Sequence, residues 1–204
     1  MEGLTIRPAS AADTERIAEL IAGEPGQEAV GIAGCVEAAR EFGMALVHIP
    51  DSPQGWQRSA LAEHDGKPVG VLQGGEGETH FSMTPRLALL ALRVFGVGII
   101  SVLGRARARQ RVQHDAPKGA YTVREFDVDP GYRNRGIGGV LLDYAEAEAR
   151  RLGHQQMSLT TNTGNPARRL YERHGFRVVS TLTDPDYERY TGLAGRHLMT
   201  KELS

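Results

Sequence analysis

Two stretches of the chain combine residue types that could bind a charged ligand and act on it. The first reads VDPGYRNRGIGG over Val128–Gly139, and the second reads NPARRLYERHGF over Asn165–Phe176. The first predicts a strand that runs through a glycine-rich turn into a helix, which is a site suited to a pyrophosphate. The second predicts a capped helix that carries Tyr171 one strand further along. Either stretch alone is weak evidence of function, whereas the two together indicate a ligand-binding enzyme.

The helix predicted at Gly138–Leu152 starts without a capping side chain. No Ser, Thr, Asp or Asn stands at its beginning, so several N–H groups of its first turn need an outside acceptor. A diphosphate supplies such acceptors and suits the positive end of the helix dipole. Gly136 and Gly139 let the backbone approach a ligand closely. Arg133 and Arg135 can add charge-assisted hydrogen bonds.

Two familiar phosphate-binding loops are absent from this turn. No Lys-Ser or Lys-Thr follows the glycines, so the turn is not a P-loop, and Leu141 stands where a dinucleotide-binding fingerprint needs its third glycine. An ordinary glycine-rich turn without a ligand remains the alternative.

The second stretch has clear helix-boundary signals. Asn165 is predicted as the N-cap, Pro166 as the first helical residue and Gly175 as the C-terminal cap. Leu170 and Tyr171 project about 100° apart, so one can pack on the sheet while the other reaches a groove. Tyr171 is either plain core or a proton donor, since a phenol of pKa about 10 can protonate a thiolate of pKa about 8.5.

The rest of the chain predicts strands alternating with helices. The residues between 23 and 55 give few signals beyond one helix. The predicted strands are 4–8, 58–64, 69–73, 121–128, 155–161, 177–182 and 197–202. One helix is predicted to begin after Ser10 or Asp13, and three more are predicted at 36–42, 138–152 and 166–174. This order predicts a mixed α/β or α+β sheet with helices on its faces, in a single domain over 1–204.

One apolar segment exceeds what a minimal domain needs. Leu87–Leu103 is nearly all apolar, and Arg105, Arg107, Arg109 and Arg111 follow it. A membrane-spanning helix needs about 20 apolar residues, so no stable membrane insertion is expected. The favoured interpretation is one or two buried helices that cover a sheet face or a homodimer contact. A lid over an acyl or acceptor pocket and a membrane-surface helix are the alternatives. The arginines are expected at a solvated helix end, with a ligand phosphate as the alternative.

Composition indicates a soluble protein. The 24 basic and 25 acidic residues give a formal net charge of −1, so no overall field draws the chain to nucleic acid. The single cysteine, Cys35, allows no intramolecular disulfide and is typical of a reducing compartment. No secretory signal is predicted at the start of the chain. We therefore expect a cytoplasmic location.

Together, these segments resemble the GNAT superfamily of N-acetyltransferases. Arg133-Asn134-Arg135-Gly136-Ile137-Gly138 matches its Arg/Gln-x-x-Gly-x-Gly/Ala signature, and Asn165–Phe176 is similar to its second coenzyme A segment. The chain's start at Ile6-Arg7-Pro8-Ala9 and its last strand at Leu198–Leu203 are also similar to the family's. The ordered pair, with 27 residues from Gly138 to Asn165, is specific.

The resemblance implies a mostly antiparallel mixed sheet, splayed between its fourth and fifth strands, with helices on both faces and a helical insertion at about 82–118. It implies acyl-coenzyme A in the splay, no metal, and N-acetyltransferase activity on an amine acceptor. The strand containing Phe126 and Val128 would pair with pantetheine. The remaining cofactor contacts would come from Arg133, Asn134, Arg135, Gly136, Ile137, Gly138, Gly139, Asn165 and Arg168, with Tyr171 near the sulfur.

In the mechanism that this resemblance implies, a neutral amine attacks the thioester directly. A backbone N–H near Val128 stabilises the oxyanion, Tyr171 protonates the thiolate, and a base deprotonates the amine. Glu125 is the candidate base, because it lies on the strand that leads into the site. Strand alternation puts Glu125 and Asp127 on one face, where a solvent-exposed charged pair is the favoured alternative.

Two other functions remain open at this level. One is a non-catalytic acyl-coenzyme A-binding regulatory module, and the other is a membrane-associated adaptor that uses Leu87–Leu103. The acceptor is not identified, because the segments expected to select it, 23–55 and 82–118, match no motif. Acetyl is the expected acyl group.

Overall fold

Seven strands form one sheet in the computed structural model, which describes residues 3–49, 54–76 and 84–203. They are β1 (Leu4–Pro8), β2 (Ser59–His64), β3 (Lys67–Gly75), β4 (Tyr121–Val128), β5 (Gln156–Asn162), β6 (Arg177–Thr183) and β7 (Gly195–Glu202). Their order across the sheet is β1-β2-β3-β4-β5-β7-β6. Only β4 and β5 are parallel, so the sheet is mixed and mostly antiparallel, as predicted.

The β2–β3 hairpin closes at Asp65 and Gly66. Both residues have positive φ, 51° and 77°, which a two-residue hairpin turn of this hand requires. Aspartate and glycine tolerate that conformation better than most residues, so the sequence Asp65-Gly66 sets the register of the hairpin.

The sheet opens between its two parallel strands. β4 and β5 pair only at Tyr121 with Met157, Thr122 with Ser158 and Val123 with Leu159. Beyond Val123 this ladder ends, while β5 continues to pair with β7 along its whole length. The predicted splay between the fourth and fifth strands is therefore confirmed.

Eight helices lie in the part of the chain that the structure describes. They are α1 (Thr14–Ala22), α2 (Gln27–Ala33), α3 (Val36–Val47), α4 (Pro85–Phe95), α5 (Ile99–Arg111), α6 (Ile137–Arg151), α7 (Arg168–Arg173) and α8 (Pro185–Thr191). Successive side chains of β2 point to opposite faces of the sheet. Ala62 packs in the core cluster that contains residues of α6, and Leu61 packs in the cluster that contains residues of α1. Helices cover both faces of the sheet, as predicted.

Two helices, α2 and α8, were not predicted from the sequence. α2 contains Gly31, a weak helix former, but a Cβ there would lie 2.6 Å from the carbonyl oxygen of Tyr190, so the glycine allows α2 to pack on α8. α8 has readable signals: Asp184 accepts a hydrogen bond from the Tyr187 N–H at 2.8 Å, and Pro185 is the first helical residue.

The predicted insertion forms α4 and α5, and its first positions, 82 and 83, lie outside the described residues. The prediction that its helices cover a sheet face is wrong, because α4 packs on α3 and α5 packs on α2 and α8. Leu89, Val97 and Ile100 are 68%, 98% and 79% exposed in the single chain, and a homodimer contact there stays a prediction. The helix α4 has apolar residues on all its sides, but only one side packs against the rest of the protein, so the other apolar side chains stay exposed. Among the described residues, the 27-residue stretch Pro85–Arg111 could cross a membrane by length and composition alone, and 11% of its most apolar window is buried.

Candidate functional site

The turn after β4 is built as an open N-terminus of α6. Gly136 occupies the N-cap position with φ 80°, and no side chain caps the helix. Asn134 also has positive φ, 61°, and residues 133–136 are exposed. Because Ile137 and Gly138 are the first two helical residues, their N–H groups have no acceptor within the helix. The predicted uncapped start is confirmed.

Two of the N–H groups in this turn already have acceptors. Arg133 N–H donates to the carbonyl of Pro130 at 3.4 Å, and Gly139 N–H donates to that of Gly136 at 3.0 Å. The side chain of Ile137 is buried in the core, so only its backbone faces a ligand. The turn therefore offers an anion its N–H groups between positions 134 and 138.

The two predicted arginines lie at the rim of the turn. Arg133 donates from Nε to the carbonyl of Val128 at 2.9 Å, and its guanidinium lies 3.2 Å from the Asp127 carboxylate. Arg135 stacks over the ring of Tyr132, with 5.2 Å from its guanidinium carbon to the ring centroid. Arg133 thus contacts the end of β4, and Arg135 lies beside the exposed part of the turn.

Gly138 is required by packing as well as by position. A Cβ there would lie 3.0 Å from Leu170 Cδ2 and 3.1 Å from Phe126 Cζ, whereas one at Gly139 would lie 3.5 Å from the His174 ring. The absent side chain lets α6 approach β4 and α7 closely. Gly138 therefore has a structural reason to be glycine that does not depend on a ligand.

The backbone of β4 near the splay is partly engaged. The Val128 N–H donates to the Asp127 carboxylate at 2.7 Å, while the Val128 carbonyl accepts from Arg133 Nε at 2.9 Å. The side chains of Phe126 and Val128 pack against the core cluster of α6. Alternation therefore separates these two residues from Glu125 and Asp127, as predicted.

Asn165 acts as a local cap two residues before the helix begins. Its carboxamide oxygen accepts the N–H of Ala167 at 2.9 Å, and its nitrogen donates to Thr161 at 2.9 Å. The helical conformation starts at Arg168, so the predicted start at Pro166 is early by two residues, within the usual uncertainty of helix ends. The Arg168 side chain pairs with Glu172 at 2.7 Å.

Tyr171 is buried in an aromatic cluster at the inner end of the splay. It is 7% exposed, and its ring centroid lies 5.9 Å from that of Phe126 and 6.4 Å from that of Phe176. Burial raises the pKa of Tyr171 to about 12, and the carboxylates of Asp127 and Glu125 add to the rise. The pKa of the Tyr171 phenol therefore depends on the carboxylates on the opposite face of β4.

Glu125 and Asp127 are each partly exposed, with 37% of the Asp127 side chain accessible, so the alternative of a solvated charged pair applies only in part. Glu125 accepts a hydrogen bond from Gln54 Nε2 at 3.0 Å. Burial raises the pKa of both carboxyl groups above their ordinary values. A carboxylate with a raised pKa is a stronger base than an exposed one. The structure thus brings Glu125, Asp127 and Tyr171 to one region.

A buried ion-pair network beside these carboxylates was missed by the sequence reasoning. Arg196 on β7 donates to both oxygens of Glu28 on α2, at 2.7 and 2.5 Å, and Arg109 on α5 lies 3.1 Å from Glu28. Burial raises the pKa of Glu28, but the charges of Arg196 and Arg109 outweigh it and the pKa lies below its ordinary value. No sequence signal joins residues 168 positions apart.

The arginine run of α5 faces the body of the protein at three of its four positions. Arg105 stacks over the ring of Tyr190, Arg109 pairs with Glu28, and Arg111 lies 2.5 Å from Asp184. Arg107 is exposed. These contacts attach α5 to α2 and α8, which accounts for three of the arginines without a ligand phosphate.

A cavity of about 270 Å³ lies between α1 and the end of β4. Asp127 and Asp129 line it from β4 and the turn, and Glu19 and Glu24 line it from α1 and the residues after it. Two arginines also line it: Arg16 pairs with Asp129 and Glu19, and Arg133 pairs with Asp127. Carboxylates outnumber cations on its wall, so the cavity suits a cationic group. In the described parts of the chain, no group of three or more His, Cys, Asp or Glu residues could hold a metal ion.

Comparison with known proteins gives three concordant findings. The model of the acetyltransferase (GNAT) family matches residues 37–176. A streptothricin acetyltransferase of Streptomyces lavendulae is 38% identical over 91 residues, which are 43% of this chain and 46% of that protein. The matched region thus spans less than half of that relative.

Solved structures share the fold. A PaiA N-acetyltransferase of Thermoplasma acidophilum, solved with coenzyme A, has a TM-score of 0.58 at 15% identity. This superposition covers 98% of this chain and 99% of that protein chain. An N-acetylglutamate synthase of Neisseria gonorrhoeae, solved with coenzyme A and N-acetylglutamate, has a TM-score of 0.53 at 16% identity and covers 98% of this chain and 35% of its own.

Proposed function

Because the chain belongs to the GNAT acetyltransferase family, we propose that it transfers the acetyl group of acetyl-coenzyme A to a primary amine of a small molecule or peptide by direct attack. The observation that carries this proposal is the juxtaposition of an uncapped helix start with a splayed strand pair. The first supplies N–H donors for a diphosphate, and the second leaves a gap beside β4 beyond Val123.

The diphosphate binds the N–H groups of the turn between positions 134 and 138, with Arg135 and Arg133 adding positive charge. Pantetheine follows β4 past Phe126 and Val128, on the side where β5 has diverged. Because the Val128 carbonyl now accepts from Arg133, binding requires the Arg133 side chain to leave that carbonyl, and the guanidinium is then free to reach the phosphates. Asn165 and Arg168 flank the pantetheine from the β5 side.

In the reaction, the amine nitrogen attacks the thioester carbonyl carbon, a C–N bond forms and the C–S bond breaks. Glu125, whose pKa is raised by burial, takes the proton that the nitrogen loses. A backbone N–H near Val128 stabilises the oxyanion. The Val128 N–H itself donates to Asp127 at 2.7 Å, so it serves this role only when that carboxylate turns away.

Tyr171 stabilises the departing thiolate. Its pKa of about 12 lies above the thiol value of about 8.5, so complete proton transfer to a free thiolate is uphill by roughly 5 kcal/mol. We therefore assign Tyr171 a hydrogen bond to the sulfur as charge develops there, so that coenzyme A leaves as the thiolate and takes its proton from water. This role needs the phenol protonated, which a raised pKa ensures at neutral pH.

The acceptor approaches from the carboxylate side of β4. Asp127, Glu19 and Glu24 give the cavity there a negative wall, which favours a cationic amine. The streptothricin acetyltransferase relative makes streptothricin a first compound to supply.

The test is amine-dependent release of thiol from acetyl-coenzyme A, followed with a thiol reagent across a panel of primary amines that includes streptothricin. We expect Glu125→Gln to lower kcat/KM about 10²- to 10⁴-fold, with unchanged acetyl-coenzyme A affinity by calorimetry. The wild type should also lose kcat/KM as pH falls through the raised pKa of Glu125, and Glu125→Gln should lack that limb. Glu202→Gln, an exposed carboxylate on β7, is the matched control.

The same measurements separate the other functions. Tight acetyl-coenzyme A binding with no amine-dependent release across the panel would instead indicate a non-catalytic acyl-coenzyme A-binding module. Full activity in Glu125→Gln would remove Glu125 as the base, and unchanged turnover in Tyr171→Phe would remove the tyrosine's role at the sulfur.

A further inference from the structure

Five large apolar side chains form one exposed surface on the insertion. They are Leu89, Leu92, Val97, Ile100 and Leu103, each between 46% and 98% exposed. Spacings of three residues align the first two on α4 and the last two on α5, and Val97 lies at the corner between the helices. We call these five residues the corner surface. Five large exposed apolar side chains on two consecutive helices indicate a binding site, unlike single exposed leucines.

The charged residues on the two helices that carry the corner surface are all arginines. Residues 85–111 contain six arginines and no aspartate or glutamate. Three of the six face the body, while Arg86, Arg93 and Arg107 are exposed; Arg93 lies 3.4 Å from Glu41 with 71% of its side chain accessible. The exposed face therefore complements a negatively charged partner.

A second copy of the chain fits this surface poorly. A two-fold contact would place the same face of both copies together, with the arginines of one copy near those of the other. Helices α4 and α5 have no acidic residue to compensate them. Like charges at a contact are unfavourable, whereas an anionic lipid surface offers both hydrocarbon for the apolar side chains and phosphate for the arginines.

The geometry of the helices supports contact at the bilayer surface rather than a span. Gly96 has φ 50° and ψ −131°, which breaks the helical stretch into α4 of 11 residues and α5 of 13. At about 1.5 Å per residue each is about 16–20 Å long, shorter than the roughly 30 Å of hydrocarbon in a bilayer.

The body holds the two helices in place behind this surface. Phe95 on α4 packs on Phe42 of α3, with ring centroids 5.1 Å apart. Arg109 and Arg111 on α5 pair with Glu28 and Asp184. The corner surface is thus presented outward by contacts that do not use its own side chains.

We propose that the corner surface docks this protein on an anionic lipid bilayer. Val97 and Ile100 enter the boundary between headgroups and acyl chains, and Arg86, Arg93 and Arg107 contact lipid phosphates. This docking is independent of the proposed acetyl transfer, because no residue of the corner surface belongs to the donor or acceptor site.

The experiment is flotation of the full chain with phosphatidylcholine vesicles, with and without phosphatidylglycerol. We expect flotation only with the anionic vesicles, weakened by salt. The Val97→Ser/Ile100→Ser double variant should bind at least about tenfold more weakly. The matched control is Val179→Ser/Leu182→Ser, which removes exposed apolar side chains on β6 and should float like the wild type.

A second pair of variants tests the charges. Arg86→Gln/Arg107→Gln should weaken binding about fivefold per arginine, whereas Arg173→Gln/Arg177→Gln, with the same loss of charge elsewhere, should not. Circular dichroism melting checks that each variant is folded. No flotation, equal flotation with neutral vesicles, or a concentration-dependent dimer without vesicle binding in sedimentation velocity would each overturn the proposal.

Discussion

Adding one methyl group at Gly138 should separate packing from ligand approach in the glycine-rich turn. Gly138 and Gly139 are adjacent, both in the first turn of α6, and both part of the donor-site motif. Alanine at position 138 would meet Leu170 Cδ2 at 3.0 Å and Phe126 Cζ at 3.1 Å, while alanine at 139 would meet only the His174 ring, at 3.5 Å. The two variants therefore differ in packing, whereas each adds one methyl group to the first turn of α6 and keeps its backbone N–H.

The magnitude follows from these distances. Carbon atoms in contact prefer about 3.5–4.0 Å, so both neighbours of a new Cβ at position 138 must move by a few tenths of an ångström. Overpacking of this kind costs about 1–3 kcal/mol. Replacing glycine by alanine in a helix gains up to about 1 kcal/mol, and this gain is common to both positions. Gly138→Ala should thus be about 1–3 kcal/mol less stable than Gly139→Ala.

Urea unfolding followed by circular dichroism measures this difference, and calorimetry measures the acetyl-coenzyme A affinity of each folded variant. Because alanine keeps the backbone N–H, we expect the affinities of the two variants to differ much less than their stabilities. Equal urea midpoints would refute the packing role of Gly138. Equal midpoints with a large loss of affinity in Gly138→Ala alone would show instead that the position is glycine because the ligand approaches it.

Three further predictions follow from single contacts. Gly136→Ala should cost about 1 kcal/mol in urea unfolding, because φ is 80° at this position, and should also weaken acetyl-coenzyme A binding; a gain in stability would contradict the left-handed geometry. Hydrogen bonds from Arg7 hold the pKa of Asp13 well below its ordinary 3.8. Their contribution to stability is therefore present above about pH 4 and is lost as pH falls below it. The stability of Asp13→Asn should depend less on acid pH, and a pH profile of stability equal to that of the wild type would contradict the role of this ion pair. Glu28→Gln should lower stability by about 3–5 kcal/mol by thermal melting, because the buried Arg196 guanidinium loses its counter-charge; a change under 1 kcal/mol would indicate that water compensates the arginine.

The sheet was largely predictable because its signals are local. Alternating apolar residues, the Asp65-Gly66 turn and the run from Tyr121 to Val128 identify strands without knowledge of their neighbours. α2 was missed because Gly31 lowers its helix propensity, and the contact with α8 that explains this glycine is long-range. α8 was not predicted, although Asp184 as N-cap and Pro185 as first helical residue are signals from which its start could have been predicted.

Burial was the least predictable property, both at the site and in the insertion. Alternation correctly put Glu125 opposite Phe126, but the sequence does not contain the fact that Gln54 and the strands around it cover Glu125. The apolar run of the insertion has the composition of a core helix, and only the fold reveals that Val97 points to solvent. The composition of a segment determines how much apolar surface it could bury, whereas its contacts with the rest of the chain determine which of its side chains are buried.

The donor and acceptor sides of the splay consequently differ in how they can change. The donor side is a continuous motif whose geometry comes from its own backbone, such as the left-handed Gly136. The surroundings of the proposed base Glu125 are assembled from distant elements, because the nearby Glu28 on α2 is held by Arg196 on β7 and Arg109 on α5. Substitutions in α5 can therefore alter the acceptor side through Arg109 without touching the donor motif.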